Sequence, residues 1–147
     1  MLFFSSYHNR IDKKGRISVP ASFRAVLGKQ GFSGIIVYQS LKHGCLEACG
    51  MQRFEKMNER IEQMDPFSPE RDALADTLFG QSVQLSCDGE GRVMLPEHLR
   101  DAGNLKDQAV FVGKGEVFEI WEPTAYEAYS KEARKNVKKQ FGALVKK

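Results

Sequence analysis

A motif that occurs twice constrains this chain more than any other feature. Asp12-Lys13-Lys14-Gly15-Arg16, followed by Ile17-Ser18-Val19-Pro20 and Arg24, returns as Asp88-Gly89-Glu90-Gly91-Arg92, Val93-Met94-Leu95-Pro96 and Arg100 at identical spacing. Asp, Gly, Arg, Pro and Arg are kept, while Ile17/Val93, Val19/Leu95 and Phe23/Leu99 match in character. Ungapped agreement of this kind argues for duplication. The pattern itself is physically legible. D-x-x-G suits a tight turn, because Asp bonds its own following backbone and Gly accepts positive φ. The alternation around Ile17 and Val93 predicts short strands. Pro20 and Pro96 suit the first position of a short helix, and Gly28 and Gly103 suit its end.

Both units continue in parallel. Residues 34–38 and 108–112 read as buried strands, followed by turns at Lys42-His43-Gly44 and Gly113-Lys114-Gly115, then by strands at 45–49 and 117–121. Each unit then enters a longer helix. The first carries Phe54, Met57, Ile61 and Met64 on one face, and the last carries Tyr126, Tyr129, Ala133 and Val137. Such stripes predict core or subunit packing. Between the units, Ser68 can cap a helix that Pro69 starts and Gly80 ends. The expected division is residues 1–64, a helical linker at 65–80, and residues 81–147. Four short strands bury too little core alone, so the two units are expected to pack as one pseudo-symmetric α+β body.

Charge adds a second layer. The 147-residue chain has a net charge of only +3, but residues 1–30 hold six basic residues against Asp12 alone, a net of +5. Residues 131–147 carry seven basic residues against Glu132, a net of +6, which leaves −8 for the middle. The ordinary reading of the basic tail is a solvated helix face that frays at its end. The N-terminal cluster differs, because it sits inside the patterned motif.

Several classes drop out. No apolar run approaches the roughly 20 residues that span a bilayer, and the start lacks a basic region ahead of its apolar residues. Three cysteines, Cys45, Cys49 and Cys87, do not make a disulfide framework and suit a reducing cytoplasm. On a strand Cys45 and Cys49 lie roughly 13 Å apart, too far to share one zinc with His43. Packed thiols are expected, with no metal and no cofactor. Glu97-His98 reads as a solvated pair. No P-loop, G-x-S-x-G or H-E-x-x-H occurs, so neither an enzyme nor a small-molecule substrate is expected.

The segment from Tyr7 to Leu27, the second Asp88-Gly-Glu-Gly-Arg92 motif and the helical linker resemble the MraZ family. The resemblance runs to about Tyr129. It implies two tandem AbrB-like swapped-hairpin units forming a pseudo-symmetric β-barrel, with linker and C-terminal helices. It further implies a cytoplasmic, nucleoid-associated regulator of transcription. In that family, ring-shaped homo-oligomers bind short direct repeats in the promoter of the division and cell-wall gene cluster. Ser5 departs from the family pattern, standing where Gly is usual; Phe54 stands where Trp is common, and Asp76 where a basic residue often lies.

The resemblance carries DNA contact onto Arg10, Lys13, Lys14, Arg16 and Arg24. The residue types agree with it. Lysines suit phosphates as mobile point charges, whereas the planar fork of arginine also engages guanine edges. Lys13 and Lys14 are therefore assigned to phosphate, and Arg10 and Arg16 to base edges. Asp12 is expected to brace the turn or an arginine. Asp12, Gly15, Asp88, Gly91 and Arg92 form the structural set. The second unit acts as a control: residues 77–106 hold Arg92, Arg100 and Lys106 against four acids, and Gly89 and Glu90 replace the lysines. The first unit is expected to face DNA and the second to scaffold. The alternative is a protein-interaction or antitoxin-type module on the same fold.

Overall fold

The computed structural model describes residues 2–145. Each repeat opens with a strand, a tight turn and a second strand: β1 (Ser6–Arg10) and β2 (Arg16–Ser18), then β5 (Val83–Ser86) and β6 (Arg92–Met94). A short helix follows in each, α1 (Ala21–Lys29) or α4 (Glu97–Ala102). An antiparallel pair comes next, β3 (Gly34–Gln39) with β4 (Leu46–Cys49), or β7 (Gln108–Gly113) with β8 (Phe118–Trp121). Helices α2 (Met51–Glu62) and α5 (Pro123–Val145) end the units.

The first strand of each repeat leaves its own unit. β1 pairs with β7 of the second repeat, and β5 pairs with β3 of the first. β4 and β8 join at the centre, giving a six-stranded sheet in the order β1-β7-β8-β4-β3-β5. β2 and β6 pair with each other as a separate ribbon, with Ile17 opposite Val93. The expected barrel thus takes the form of a curled sheet faced by a ribbon, with both repeats contributing to each. One core lies between them. Ile17, Val19, Val93 and Leu95 of the ribbon meet Ile35, Val37, Ala48, Phe111, Phe118 and Ile120 of the sheet, with Phe23 and Leu99 from the short helices. Exchange of strands lets two small units bury a single shared core, which neither could form alone.

The outer face of the sheet carries the longer helices. Phe54, Met57 and Ile61 of α2 pack on Ile36, Tyr38 and Cys49, as the stripe predicts, whereas Met64 lies beyond the end of the helix. The linker helix α3 (Pro69–Ala75) is capped by Ser68, whose hydroxyl accepts from Arg71 N at 3.0 Å. It runs into a π-helical turn over Asp76–Gly80 that seats Leu78 and Phe79 on the same cluster. Tyr126 and Tyr129 of α5 cover Val110, Val112, Cys45 and Trp121. The stripe then outruns the sheet: Val137 and Phe141 are 52% and 57% exposed. The helix continues to Val145 where fraying was expected, and Lys146 and Lys147 lie outside the described residues.

One helix end corrects the sequence reading and another agrees with it. Gly28 lies inside α1, and Gly31, at φ +76°, makes the left-handed turn that ends it. Gly103 does follow α4, but Asn104 takes the positive φ of +53° there. Asn tolerates this region because its short side chain bonds locally. Ser5 adopts φ +72°, which explains why glycine suits that site. We expect Ser5→Gly to stabilise the protein by about 0.5–1 kcal/mol, because a side chain in the left-handed region is strained. A urea midpoint that does not rise would contradict this.

Candidate nucleic-acid interface

Both D-x-x-G-R turns close in the same way. Asp12 Oδ1 accepts from the backbone N–H groups of Lys14 and Arg16, each at 2.9 Å. Its Oδ2 accepts from Arg16 Nε at 2.7 Å. Gly15 N donates to Asp12 O at 3.0 Å, with Gly15 at φ +90°. In the second repeat, Asp88 Oδ1 accepts from Glu90 N and Arg92 N, and Oδ2 from Arg92 Nε at 3.0 Å. Gly91 N donates to Asp88 O, with Gly91 at φ +78°. These bonds to the ionised carboxylate, led by the N–H of Arg16 or Arg92, hold both aspartates below the usual carboxylate range. The stabilisation they supply is therefore present above an ordinary aspartate pKa and is lost as pH falls through the lowered value.

Aspartate, glycine and arginine thus suffice for the turn. The two intervening positions are free to vary, and they are where the repeats differ. Lys13 and Lys14 are exposed and form no ion pair among the described residues. At the corresponding place Glu90 turns back onto Arg92, 3.6 Å away. The first turn therefore presents uncompensated positive charge on a rigid base, and the second neutralises its own.

The other candidates are placed differently. Arg10 ends β1 opposite Gln108, exposed and close in the chain to the first turn. Asn9 Nδ2 donates to Ser18 O at 2.7 Å, tying that strand to the ribbon. Arg16 holds the brace expected of Asp12 through Nε, and among the described residues its outer guanidinium nitrogens bond no protein acceptor. Arg24 is the one candidate not brought to this turn. Its Nε donates to Val19 O at 3.1 Å, and its guanidinium lies over Gly91, in the turn of the second repeat. Strand exchange causes this, because α1 begins beside the opposite turn. Sequence reasoning passed over Arg100, which occupies the equivalent place over Gly15.

Among the described residues no group of three or more His, Cys, Asp or Glu is placed to hold a metal ion. Cys45 and Cys49 are buried under different helices, and burial pushes both thiols up to about 12, making them poor nucleophiles. The His43 ring packs at a tilt of 56° against Tyr129, with ring centres 4.5 Å apart. No described helix is long and apolar enough to cross a membrane.

A fused pair of exchanged hairpins, one of whose turns is basic, defines a class of duplicated, strand-exchanged α+β proteins. Comparison with known proteins narrows this further: the family model described as an antitoxin-like MraZ protein matches residues 2–77 and again 78–147. The chain belongs to the MraZ family. It is 52% identical over 134 residues to the "Transcriptional regulator MraZ" of Rickettsia akari (strain Hartford), covering 91% of this chain and 90% of that protein. The protein of the same name from Rickettsia bellii (strain OSU 85-389) is 53% identical over 135 residues, with the same coverage of each chain.

Proposed function

We propose that this protein is a cytoplasmic, nucleoid-associated transcriptional regulator that binds duplex DNA through the turn of its first repeat. Arg10, Lys13, Lys14 and Arg16 supply the contacts, with the lysines on phosphates and the arginines towards base edges. One observation carries this reading: two turns share their backbone bonding, yet only the first presents lysines without acidic partners. Residues 1–64 supply these contacts, and residues 81–147 mostly scaffold them. The names of the Rickettsia relatives support a role in transcription.

So few positive groups bind DNA weakly, and because that binding is electrostatic it falls as salt rises. Affinity then comes from linked copies, which raise the effective concentration at repeated sites. We infer a ring-shaped homo-oligomer on short direct repeats in the promoter of the division and cell-wall gene cluster. The exposed Val137 and Phe141 on a projecting helix favour self-association. Gel shifts on that promoter region against scrambled duplex, with salt varied, test the reading. Binding should be specific and salt-sensitive, and it should collapse when the repeat spacing changes by half a helical turn. Equal affinity for scrambled duplex would favour a protein-interaction module, and indifference to spacing would remove the linked-copy account.

A further inference from the structure

We propose that Arg100, from the second repeat, is a phosphate contact of the first-repeat DNA surface. The inference rests on the DNA-binding reading and deepens it. It starts from the ribbon register. Leu95 N donates to Gly15 O at 2.9 Å, and Val19 N donates to Gly91 O at 3.0 Å. Each turn therefore lies against the strand end of the other repeat, where that repeat's short helix begins. α4 starts beside the first turn and α1 beside the second.

The two helix arginines follow. Arg100 Nε donates to Leu95 O at 3.0 Å, which anchors the side chain over the first turn. A Cβ built on Gly15 would meet the backbone Leu95 O at 2.8 Å, then Arg100 Nε at 3.0 Å and Cζ at 3.1 Å. This close approach, together with the positive φ, requires glycine there. Among the described residues the outer nitrogens of Arg100 bond no acceptor, and neither Glu97 nor Asp101 of its own helix pairs with it. A half-buried guanidinium anchored at Nε and open at both outer nitrogens is oriented to donate to a phosphate oxygen.

The exchange redistributes charge in a way that the halves of the sequence conceal. The first turn gathers Lys13, Lys14, Arg16 and Arg100 around Asp12. The second gathers Arg92 and Arg24 around Asp88 and Glu90. The DNA surface is thus a composite of both repeats. Arg24 is the matched control, with the same bond to its own strand end and the same cover over a glycine, at the neutral turn.

The test measures dissociation constants of the full chain for the promoter duplex across a salt series. Wild type, Arg100→Gln, Arg100→Lys and Arg24→Gln are compared, with urea unfolding run on each. Arg100→Gln should weaken binding and lower the slope of log K against log salt by about one per subunit bound. Arg100→Lys should keep the slope, since it keeps the charge. Arg24→Gln should keep the slope whatever stability it loses. An unchanged slope in Arg100→Gln, or an equal fall in Arg24→Gln, overturns the assignment while the DNA-binding reading stands. A wild type without preference for the promoter over scrambled duplex overturns that reading itself.

Discussion

Lys13→Gly combined with Lys14→Glu should reduce promoter affinity on the order of a hundredfold or more, because two phosphate contacts vanish and one becomes repulsive. The substitution installs in the first turn the residues that the second turn already carries, Gly89 and Glu90. Those residues sit in a turn with the same aspartate, glycine and arginine bonds, so the backbone should hold its form. The mass in light scattering should also match that of the wild type. Arg16→Ala is a poorer probe, since it also removes the brace on Asp12. Retained affinity in the double variant, with folding and assembly intact, would move DNA contact away from this turn.

Phe23→Ala should cost about 3–5 kcal/mol, the largest effect expected of a single core substitution here. Phe23 is 1% exposed and lies where both repeats meet. Its ring is 5.3 Å from Phe3 and 4.8 Å from Phe118 between centroids, and Tyr7 stands edge-on at 5.5 Å. Truncation leaves a cavity among rings that belong to different elements and cannot collapse together. Its counterpart Leu99 is equally buried, but no aromatic packing is lost with it, so Leu99→Ala should cost less. Urea unfolding at fixed protein concentration reads both, since the proposed self-association would link stability to concentration. A loss of under about 1.5 kcal/mol for Phe23→Ala would show that the cluster repacks.

Much of the fold was legible because its determinants are local. The D-x-x-G-R turns form from bonds within five residues, and the same bonds appear in both copies. Ser68 and Pro69 started the linker helix as their types require. Misreadings arose where a local signal had two solutions. Gly28 suited a helix end, but Gly31 lay three residues further on and took the left-handed turn. The stripe on α5 fitted core and subunit packing alike: Tyr126 and Tyr129 cover the sheet, whereas Val137 stays exposed.

The candidate site divides along the same line. By itself the sequence determined that two turns share the D-x-x-G-R pattern, that one carries lysines, and that Asp12 and Arg16 belong together. It could not say which arginine stands over which turn. A strand that pairs within its own repeat and one that crosses to the other have the same alternation and the same caps, so no pattern distinguishes them. Only burial of the shared core decided that β1 crosses to β7 and β5 to β3. That choice carried Arg24 to the second turn and brought Arg100 to the first, because each side chain goes where its helix is packed.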